Sequence, residues 1–149
     1  MLLWRISNHS SLAGDGALRT PGRWHTRGHR VVYCAESAAS ALLEILVHFE
    51  IDLHRLPVHF RLLKVHAPHG VRMERIALDT LPADWPDRPE VTRARGDSWL
   101  TRGSSPLLSV PSAIVPETFN VLLNPAHEEA RRFVVVDTGE HAFDRRLLK

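Results

Sequence analysis

Four polar side chains of this sequence stand where an apolar or small residue is the usual choice. Arg23, Tyr33, Glu44 and Ser112 each interrupt a stretch that is otherwise apolar or rich in glycine and proline. A guanidinium can bind a pyrophosphate or a carboxylate through two parallel hydrogen bonds, and a tyrosine ring can stack on a flat heteroaromatic. Glu44 lies between leucine and isoleucine and needs a partner, because an unpaired buried carboxylate is unstable. The four residues together indicate a site rather than an ordinary surface.

Each of these residues also has a structural interpretation, and the sequence leaves both open. Arg23 could stack on Trp24 at the surface, and Tyr33, the only tyrosine of the chain, could be a core residue with a satisfied hydroxyl. Glu44 could lie on the narrow solvent-exposed stripe of its helix. Ser112 lacks the Gly-x-Ser-x-Gly turn of many nucleophilic serines, so it could simply stabilise a loop.

Local patterns around the first three residues predict a strand followed by a helix. The run Val31–Ala35 is β-branched and aromatic, as expected for a buried strand. Ser37 can cap a helix over Ala38–Phe49, whose apolar residues follow the i, i+3, i+4, i+7 spacing of one buried face. We expect this helix to pack on the sheet and to point Glu44 into a cleft.

The rest of the chain predicts a mixed α/β layout in one domain, residues 1–149. Alternation over Val58–Val65 predicts a strand of the same sheet, with Phe60 and Leu62 on its buried side. Glu117–Asn124 is bracketed by prolines and stays unassigned. Further predicted strands are Leu107–Val110, Phe133–Val136 and Ala142–Leu148. The predicted loops are the glycine-rich Gly14–Gly28 and the proline-rich Leu81–Gly103, the latter with at most one helical turn.

Composition indicates an ordinary globular protein of 149 residues with a formal net charge of +2. No apolar stretch approaches the roughly 20 residues of a membrane span, and the N-terminus does not resemble a signal peptide. The single cysteine, Cys34, allows no intramolecular disulfide, so we expect a cytoplasmic protein. The basic run Arg88, Arg93, Arg95 and Arg102 is interrupted by acidic residues and interpreted as a solvated loop, so we expect no nucleic-acid binding.

Other functional classes stay open on the residues alone. A zinc enzyme would need ligand spacing that the chain lacks: it has no His-Glu-x-x-His and no cysteine pair, and Gly28 between His25 and His29 disfavours a helix that would align them. We therefore expect no metal. A small toxin-type ribonuclease could use His, Arg and Glu for acid–base cleavage, although it predicts a basic groove. A binding module without catalysis is the third alternative.

Taken in order, several segments resemble the RES domain family, which is named for its Arg, Glu and Ser. The resemblance runs from about Arg5 to Pro125, and each piece is weak alone whereas the ordered set is specific. Pro21 and His25 depart from it, since the family more often has Gly and Asn there. The matching segments are Arg5, Gly14-x-Gly16-Ala17, Gly22-Arg23-Trp24, Val31-Val32-Tyr33, Ala41-Leu42-Leu43-Glu44, Val110-Pro111-Ser112 and Leu122-Leu123-Asn124-Pro125.

RES proteins are bacterial toxins that consume NAD, so the resemblance implies that NAD is the substrate. It implies a compact variant of the ADP-ribosyltransferase fold with an NAD cleft, and a partner antitoxin with an Xre-like helix-turn-helix domain. Neither membrane binding nor DNA binding by the toxin alone is expected. The implied catalytic residues are Arg23, Tyr33, Glu44 and Ser112. The implied NAD-binding residues are Arg23, Trp24, Tyr33, Ser112 and Asn124.

The chemistry of the nicotinamide–ribose bond is consistent with these residue types. Its cleavage passes through an oxocarbenium-like state, which a nearby carboxylate such as Glu44 can stabilise. Arg23 would hold the pyrophosphate, Tyr33 would stack on nicotinamide, and Ser112 would bond to the nicotinamide ribose or carboxamide. The acceptor stays open: water gives a glycohydrolase, phosphate a phosphorylase, and a protein side chain an ADP-ribosyltransferase.

Overall fold

A computed structural model describes residues 1–48 and 58–148 of the chain. Its helices are α1 (Asp15–Arg19), α2 (Ala38–His48) and α3 (Pro89–Arg102). Its strands are β1 (Leu2–Ile6), β2 (Val32–Ala35), β3 (His59–His66), β4 (Met73–Arg75), β5 (Leu107–Pro111), β6 (Phe119–Leu123) and β7 (Val134–Ala142). Short 3-10 turns occupy Leu78–Thr80, Trp85–Asp87, Glu128–Arg132 and Arg145–Leu148. None of the helices described is long and apolar enough to cross a membrane.

The strands form one sheet in the order β4-β5-β6-β2-β1-β3-β7, antiparallel except for the β4–β5 pair. The register places Tyr33 opposite Leu122, and Asn120 opposite both Ala35 and Val110. Residues that face each other across a ladder point to the same side of the sheet, as do residues two apart. Tyr33 and Asn120 therefore share one face.

Each face of the sheet buries its own apolar cluster, because successive strand residues alternate between the two. The face that carries Tyr33 is covered by the segment around Trp24 and by α3. Its cluster contains Ala17, Trp24, Val31, Ile76, Leu81, Trp85, Trp99, Leu108, Val110 and Leu122. The opposite face buries Leu3, Val32, Cys34, Val65, Ala67, Leu107, Val121, Leu123 and Phe133.

Most elements with a clear local pattern are confirmed. The strands predicted at Val31–Ala35, Leu107–Val110 and Phe133–Val136 are observed as β2, β5 and the start of β7. Helix α2 begins where expected, with its cap in place, since the Ser40 N–H donates to Ser37 Oγ at 3.0 Å. It contacts β1 and β2 of the sheet that also contains β3. The predicted last residue of this helix, Phe49, lies outside the described residues.

The predicted buried side of β3 is wrong. Leu63 and Val65 are fully buried, whereas Phe60 and Leu62 on the other side are only half-buried. The two adjacent leucines allowed either alternation, and packing against the Leu3 and Phe133 cluster selects the second.

The predicted loop over Leu81–Gly103 is also wrong, because most of it forms α3. Proline at the first helical residue is compatible with a helix, since its missing N–H has no intrahelical partner there. Gly103 ends the helix in the left-handed conformation, with φ 59°. Gly96 is required by packing, because a Cβ at this position would overlap the Trp24 carbonyl group. These prolines and glycines bound and pack a helix rather than mark a loop.

Three other predicted assignments change. The terminal strand predicted over Ala142–Leu148 is wrong: β7 runs from Val134 to Ala142, paired with β3 through Gly139, and a 3-10 turn follows it. The predicted loop Gly14–Gly28 contains the short helix α1. The unassigned segment before Pro125 forms β6.

Candidate active site

Glu44 is held against the sheet by side chains from two strands' ends. Ser112 Oγ donates to Glu44 Oε1 at 2.6 Å, and Asn120 Nδ2 donates to the same oxygen at 2.8 Å. Ser112 is buried, whereas Glu44 and Asn120 are half-buried. Glu44 Oε2 has no hydrogen-bond partner among residues 1–48 and 58–148. One carboxylate oxygen is therefore fixed by two side chains, and the other keeps its acceptor positions unused by the described residues.

The Ser112 hydroxyl is fully occupied in this arrangement. It donates its one hydrogen to Glu44 and accepts from the N–H groups of Ile114 at 3.1 Å and Val115 at 3.4 Å. A hydroxyl has one donor and two acceptor positions, and all three are used. Ser112 thus positions Glu44 and closes the turn after β5, and it contacts a ligand only if these bonds rearrange.

Tyr33 is anchored by a buried histidine. Its hydroxyl lies 2.7 Å from His25 Nδ1 and accepts from the Trp24 N–H at 3.1 Å. His25 Nε2 is 3.1 Å from the carbonyl oxygens of both Ala17 and Thr20. Because carbonyls only accept, Nε2 carries the hydrogen, and Nδ1 accepts from the Tyr33 hydroxyl. His25 is neutral in this network.

Burial agrees with these protonation states. It lowers the pKa of His25, which is 2% exposed, and raises the pKa of Tyr33, so the phenol keeps its proton. A side chain at position 22 would meet the phenol, since a Cβ on Gly22 would lie 2.5 Å from the Tyr33 hydroxyl oxygen. His25 positions Tyr33, a role that the sequence did not indicate: there His25 stood out only as a departure from the family pattern and as an unsuitable partner of His29 in a metal site.

Arg23 lies at the same edge of the site but does not stack on Trp24. Its Nη1 donates to the Pro86 carbonyl at 2.8 Å, and its guanidinium carbon lies 5.8 Å from the ring centroid of Trp85. Arg23 is half-buried and has no carboxylate partner in the described part of the chain. Trp24, expected to bind NAD, is 2% exposed and packs in the core with its ring centroid 5.9 Å from that of Trp85.

Asn124 is separated from the other predicted site residues. It follows β6 at the end opposite Asn120, and it is 2% exposed. Its Oδ1 accepts from the Ala126 N–H at 3.1 Å, and its Nδ2 lies 3.5 Å from the Leu100 carbonyl oxygen. These contacts stabilise the turn after the strand and join it to α3.

Arg5, the first residue of the matched pattern, supports the strand that carries Tyr33. Its Nη1 donates to the Tyr33 carbonyl at 3.1 Å, and its Nε is buried without a partner. Burial lowers the pKa of Arg5, and it raises the pKa of the neighbouring Cys34 thiol to about 11. This side of β2 is therefore desolvated and contains no ionised thiol at neutral pH.

Arg93 on α3 is a residue that sequence reasoning missed. Its Nε donates to the Gly22 carbonyl at 2.8 Å, directly beside Arg23. The sequence interpretation placed it in a solvated loop, whereas the structure makes it half-buried. The available signal was the proline and the glycine that bound α3, because recognising this helix would have placed Arg93 on it.

The structure thus brings Glu44, Ser112 and Asn120 into direct contact, and links Tyr33 to this group through the sheet. Tyr33 and Asn120 are diagonal neighbours on one face, a relationship that corresponds to about 7–8 Å. Arg23 is connected to Tyr33 through its two chain neighbours: the Trp24 N–H donates to the Tyr33 hydroxyl, and Gly22 packs beside the same hydroxyl. No group of three His, Cys, Asp or Glu suited to a metal occurs in the part of the chain described.

Comparisons with known proteins agree with this architecture. The RES domain family model matches residues 2–144. A curated relative from Pseudomonas putida, named Toxin Res, is 47% identical over 88% of this chain and 89% of its own length. The Prs ADP-ribosylating toxin of a Sphingobium species is 34% identical over 98% of this chain and 96% of its own length.

A solved structure shows the same fold at low sequence identity. The crystal structure of the M. tuberculosis MbcT–MbcA toxin–antitoxin complex matches with a TM-score of 0.75 and 16% identity, covering 95% of this chain and 84% of the other. The predicted mixed α/β fold is confirmed, and it is the fold seen in that complex. The family resemblance inferred from the ordered motifs is confirmed as well, and the chain belongs to the RES domain family.

Proposed function

We propose that this chain is the toxin of a type II toxin–antitoxin system and that it cleaves the nicotinamide–ribose bond of NAD. The observation that carries the proposal is the Glu44 carboxylate, fixed at Oε1 by Ser112 and Asn120 with Oε2 available. It lies on the sheet face that also presents Tyr33. The names of the relatives, Toxin Res and Prs ADP-ribosylating toxin, support a toxin that acts on NAD.

The reaction breaks the bond between the ribose C1′ and the nicotinamide nitrogen. The bonding electrons go to the nitrogen, so neutral nicotinamide leaves and positive charge develops on the ribosyl carbon and ring oxygen. A carboxylate that is already oriented stabilises this charge without reorganising during the reaction. Glu44 Oε2 takes this role, and an acceptor oxygen then bonds to C1′ and releases a proton.

Of the other predicted residues, Arg23 and Tyr33 position the substrate. Arg23 binds the diphosphate, so that binding energy from a remote group orients the reacting carbon. Tyr33 presents its ring to nicotinamide while its hydroxyl stays bonded to His25. Ser112 acts through Glu44 in the free protein, and a direct bond to the nicotinamide ribose requires exchange of its bond to Glu44. Asn124 and Trp24 bind no substrate in this proposal, because both are buried in other contacts.

The first test follows nicotinamide release from NAD by the purified protein, with the ribosyl product identified by mass. Free ADP-ribose identifies water as the acceptor, and a product heavier by one phosphate identifies a phosphorylase. An unreacted NAD pool would contradict the proposal. Total RNA incubated in parallel tests the ribonuclease alternative, which expects RNA fragments and no nicotinamide.

A second candidate function is transfer of ADP-ribose to a protein. The 34% identity to the Prs ADP-ribosylating toxin favours it. It uses the same bond cleavage with a protein side chain as acceptor. Radiolabelled NAD separates the two: label that precipitates with a protein, in stoichiometric yield with nicotinamide, supports transfer, whereas label that stays soluble supports depletion.

An antitoxin with an Xre-like helix-turn-helix domain is the proposed partner, and the fold similarity to a toxin from a toxin–antitoxin complex supports such a pairing. A segment of this partner would enter the cleft and place a carboxylate on Arg23 in place of the diphosphate. Expression of the chain alone should stop growth, and co-expression should relieve it. Full NAD cleavage by the stable complex would contradict occlusion.

A further inference from the structure

Arginines of this protein differ in how their charges are paired. One group is exposed and paired with carboxylates, namely Arg30 with Asp15, Arg88 with Glu90, Arg102 with Glu74, Arg132 with Glu129 and Arg146 with Asp144. A second group is half-buried and bonds to backbone carbonyls instead. Arg23 and Arg93 belong to this second group. Their charges are therefore partly removed from solvent without a carboxylate to neutralise them.

Arg93 is held next to Arg23 by α3. Its Nε donates to the Gly22 carbonyl, and the preceding residue, Thr92, donates its hydroxyl to the Arg23 carbonyl at 2.5 Å. The first half of α3 thus fixes the backbone from which the Arg23 side chain extends. Both guanidiniums lie close enough to Tyr33 for their charges to oppose the rise in its pKa.

Neither acidic residue of α3 neutralises Arg93, because Glu90 is paired with Arg88 and Asp97 bonds to Thr26. Asp97 lies one turn further along, but its oxygens accept from the Thr26 N–H at 2.9 Å and the Thr26 hydroxyl at 2.6 Å. Arg93 makes one hydrogen bond within residues 1–48 and 58–148, through Nε. A guanidinium has five N–H donors, so its terminal nitrogens are available to a ligand.

We propose that Arg93 is the second cation of a diphosphate subsite, and that Arg23 and Arg93 together bind the diphosphate of a dinucleotide substrate. One guanidinium bonds to the Gly22 carbonyl, and the next residue along the chain carries the other, which bonds to the Pro86 carbonyl. Together they match an anion with several oxygens, because each can form paired charge-assisted hydrogen bonds. The glycine contributes by leaving room next to the Tyr33 hydroxyl. This inference rests on the proposed function and names a residue of the same site.

The test measures binding rather than turnover. ADP-ribose carries the diphosphate, and nicotinamide riboside lacks it. Arg93→Gln should weaken ADP-ribose binding about 10- to 100-fold in calorimetry, since charge-assisted bonds are lost. Its affinity for nicotinamide riboside should stay within about twofold, and inorganic pyrophosphate should compete with ADP-ribose less well than in the wild type.

Arg95→Gln is the matched control. Arg95 lies on the same helix, is exposed, and donates to Thr80 at 2.7 Å, away from Gly22. It should leave both affinities unchanged. Arg93→Lys keeps the positive charge but loses the paired N–H donors of the planar guanidinium, so it should bind ADP-ribose with intermediate affinity.

Several outcomes would overturn the proposal. The first is that Arg93→Gln binds ADP-ribose as tightly as the wild type does. The second is that Arg93→Gln loses as much affinity for nicotinamide riboside as for ADP-ribose, because an equal loss indicates a collapsed site. The third is that the wild type does not bind ADP-ribose. A protein that binds ADP-ribose through Arg93 yet releases no nicotinamide would contradict the proposed reaction and support the subsite. The two failures are therefore distinguishable.

Discussion

The carboxylate and the cations of the site are held in different ways. Glu44 receives hydrogen bonds from two side chains, Ser112 and Asn120, which approach the same oxygen. Arg23 and Arg93 donate to backbone carbonyls and have no carboxylate partner among the residues described. The hydrogen bonds to one carboxylate oxygen are thus complete in the free protein, whereas the two guanidiniums have no anionic partner and, in the proposed function, bind the diphosphate.

This difference separates two kinds of substitution. A group that is oriented before substrate arrives contributes most in the transition state, so its loss should lower kcat. A group that awaits an anion contributes to both the bound substrate and the transition state, so its loss should raise KM.

Glu44→Gln should have the largest effect. Loss of the negative charge opposite the developing oxocarbenium should lower kcat for nicotinamide release by about 100- to 1000-fold, with KM little changed. Initial rates of nicotinamide release at saturating and at limiting NAD concentrations give kcat and KM. Glu36→Gln, an exposed carboxylate just before α2, is the control and should behave as wild type. A raised KM with unchanged kcat would show that Glu44 contributes to substrate binding and not to the transition state.

Arg23→Gln should raise KM for NAD about 10- to 100-fold with a smaller change in kcat. Combining it with Arg93→Gln sharpens the comparison. If both side chains bind one diphosphate, the double variant should lose less than the product of the single losses. Independent, multiplicative losses would contradict a shared ligand group.

Ser112→Ala should lower kcat about tenfold, because Glu44 Oε1 keeps only the bond from Asn120. Asn120→Ala should have a similar effect on kcat. The two should differ in stability, since the Ser112 hydroxyl also accepts from two backbone N–H groups, and its loss should lower the unfolding free energy by about 1–2 kcal/mol. Urea unfolding of both variants measures this difference. Equal stability would contradict the turn-closing role of Ser112.

His25 should make the smallest contribution, visible as a pH dependence of stability. Burial holds the pKa of folded His25 below its ordinary value of 6.5. Below about pH 6.5 the unfolded chain therefore binds protons that folded His25 does not, so stability should fall as pH decreases through this range. At higher pH the group is neutral in both states and adds no slope.

His25→Asn should flatten this part of the curve, and His69→Gln, at an exposed position, should not. Calorimetric Tm values across the pH range measure both. Glu74, whose pKa is lowered mainly by its bond from Ser104, loses its stabilising effect in a separate range, below its ordinary value of 4.5. An unchanged slope in His25→Asn would show that His25 does not titrate as the buried neutral group.

Sequence reasoning identified elements whose signals are local. The cap at Ser37 and the apolar period of α2 are properties of neighbouring residues, and both are observed. The β-branched runs of β2 and β5 were likewise sufficient. Helix α3 was missed because Gly96 is required by close packing against the Trp24 backbone, which is distant in sequence. Propensity alone treats such a glycine as a helix breaker.

The sequence by itself determined the family, the mixed α/β class and the kinds of side chain available to the site, because ordered motifs and local periodicity are readable along one chain. Only the tertiary structure decided which of them meet. Ser112 and Asn120 lie 68 and 76 residues from Glu44, and sheet register brings them to the same oxygen. Packing of α3 places Arg93 beside Gly22 for the same reason: contacts between distant segments depend on how whole elements pack, which no local pattern specifies.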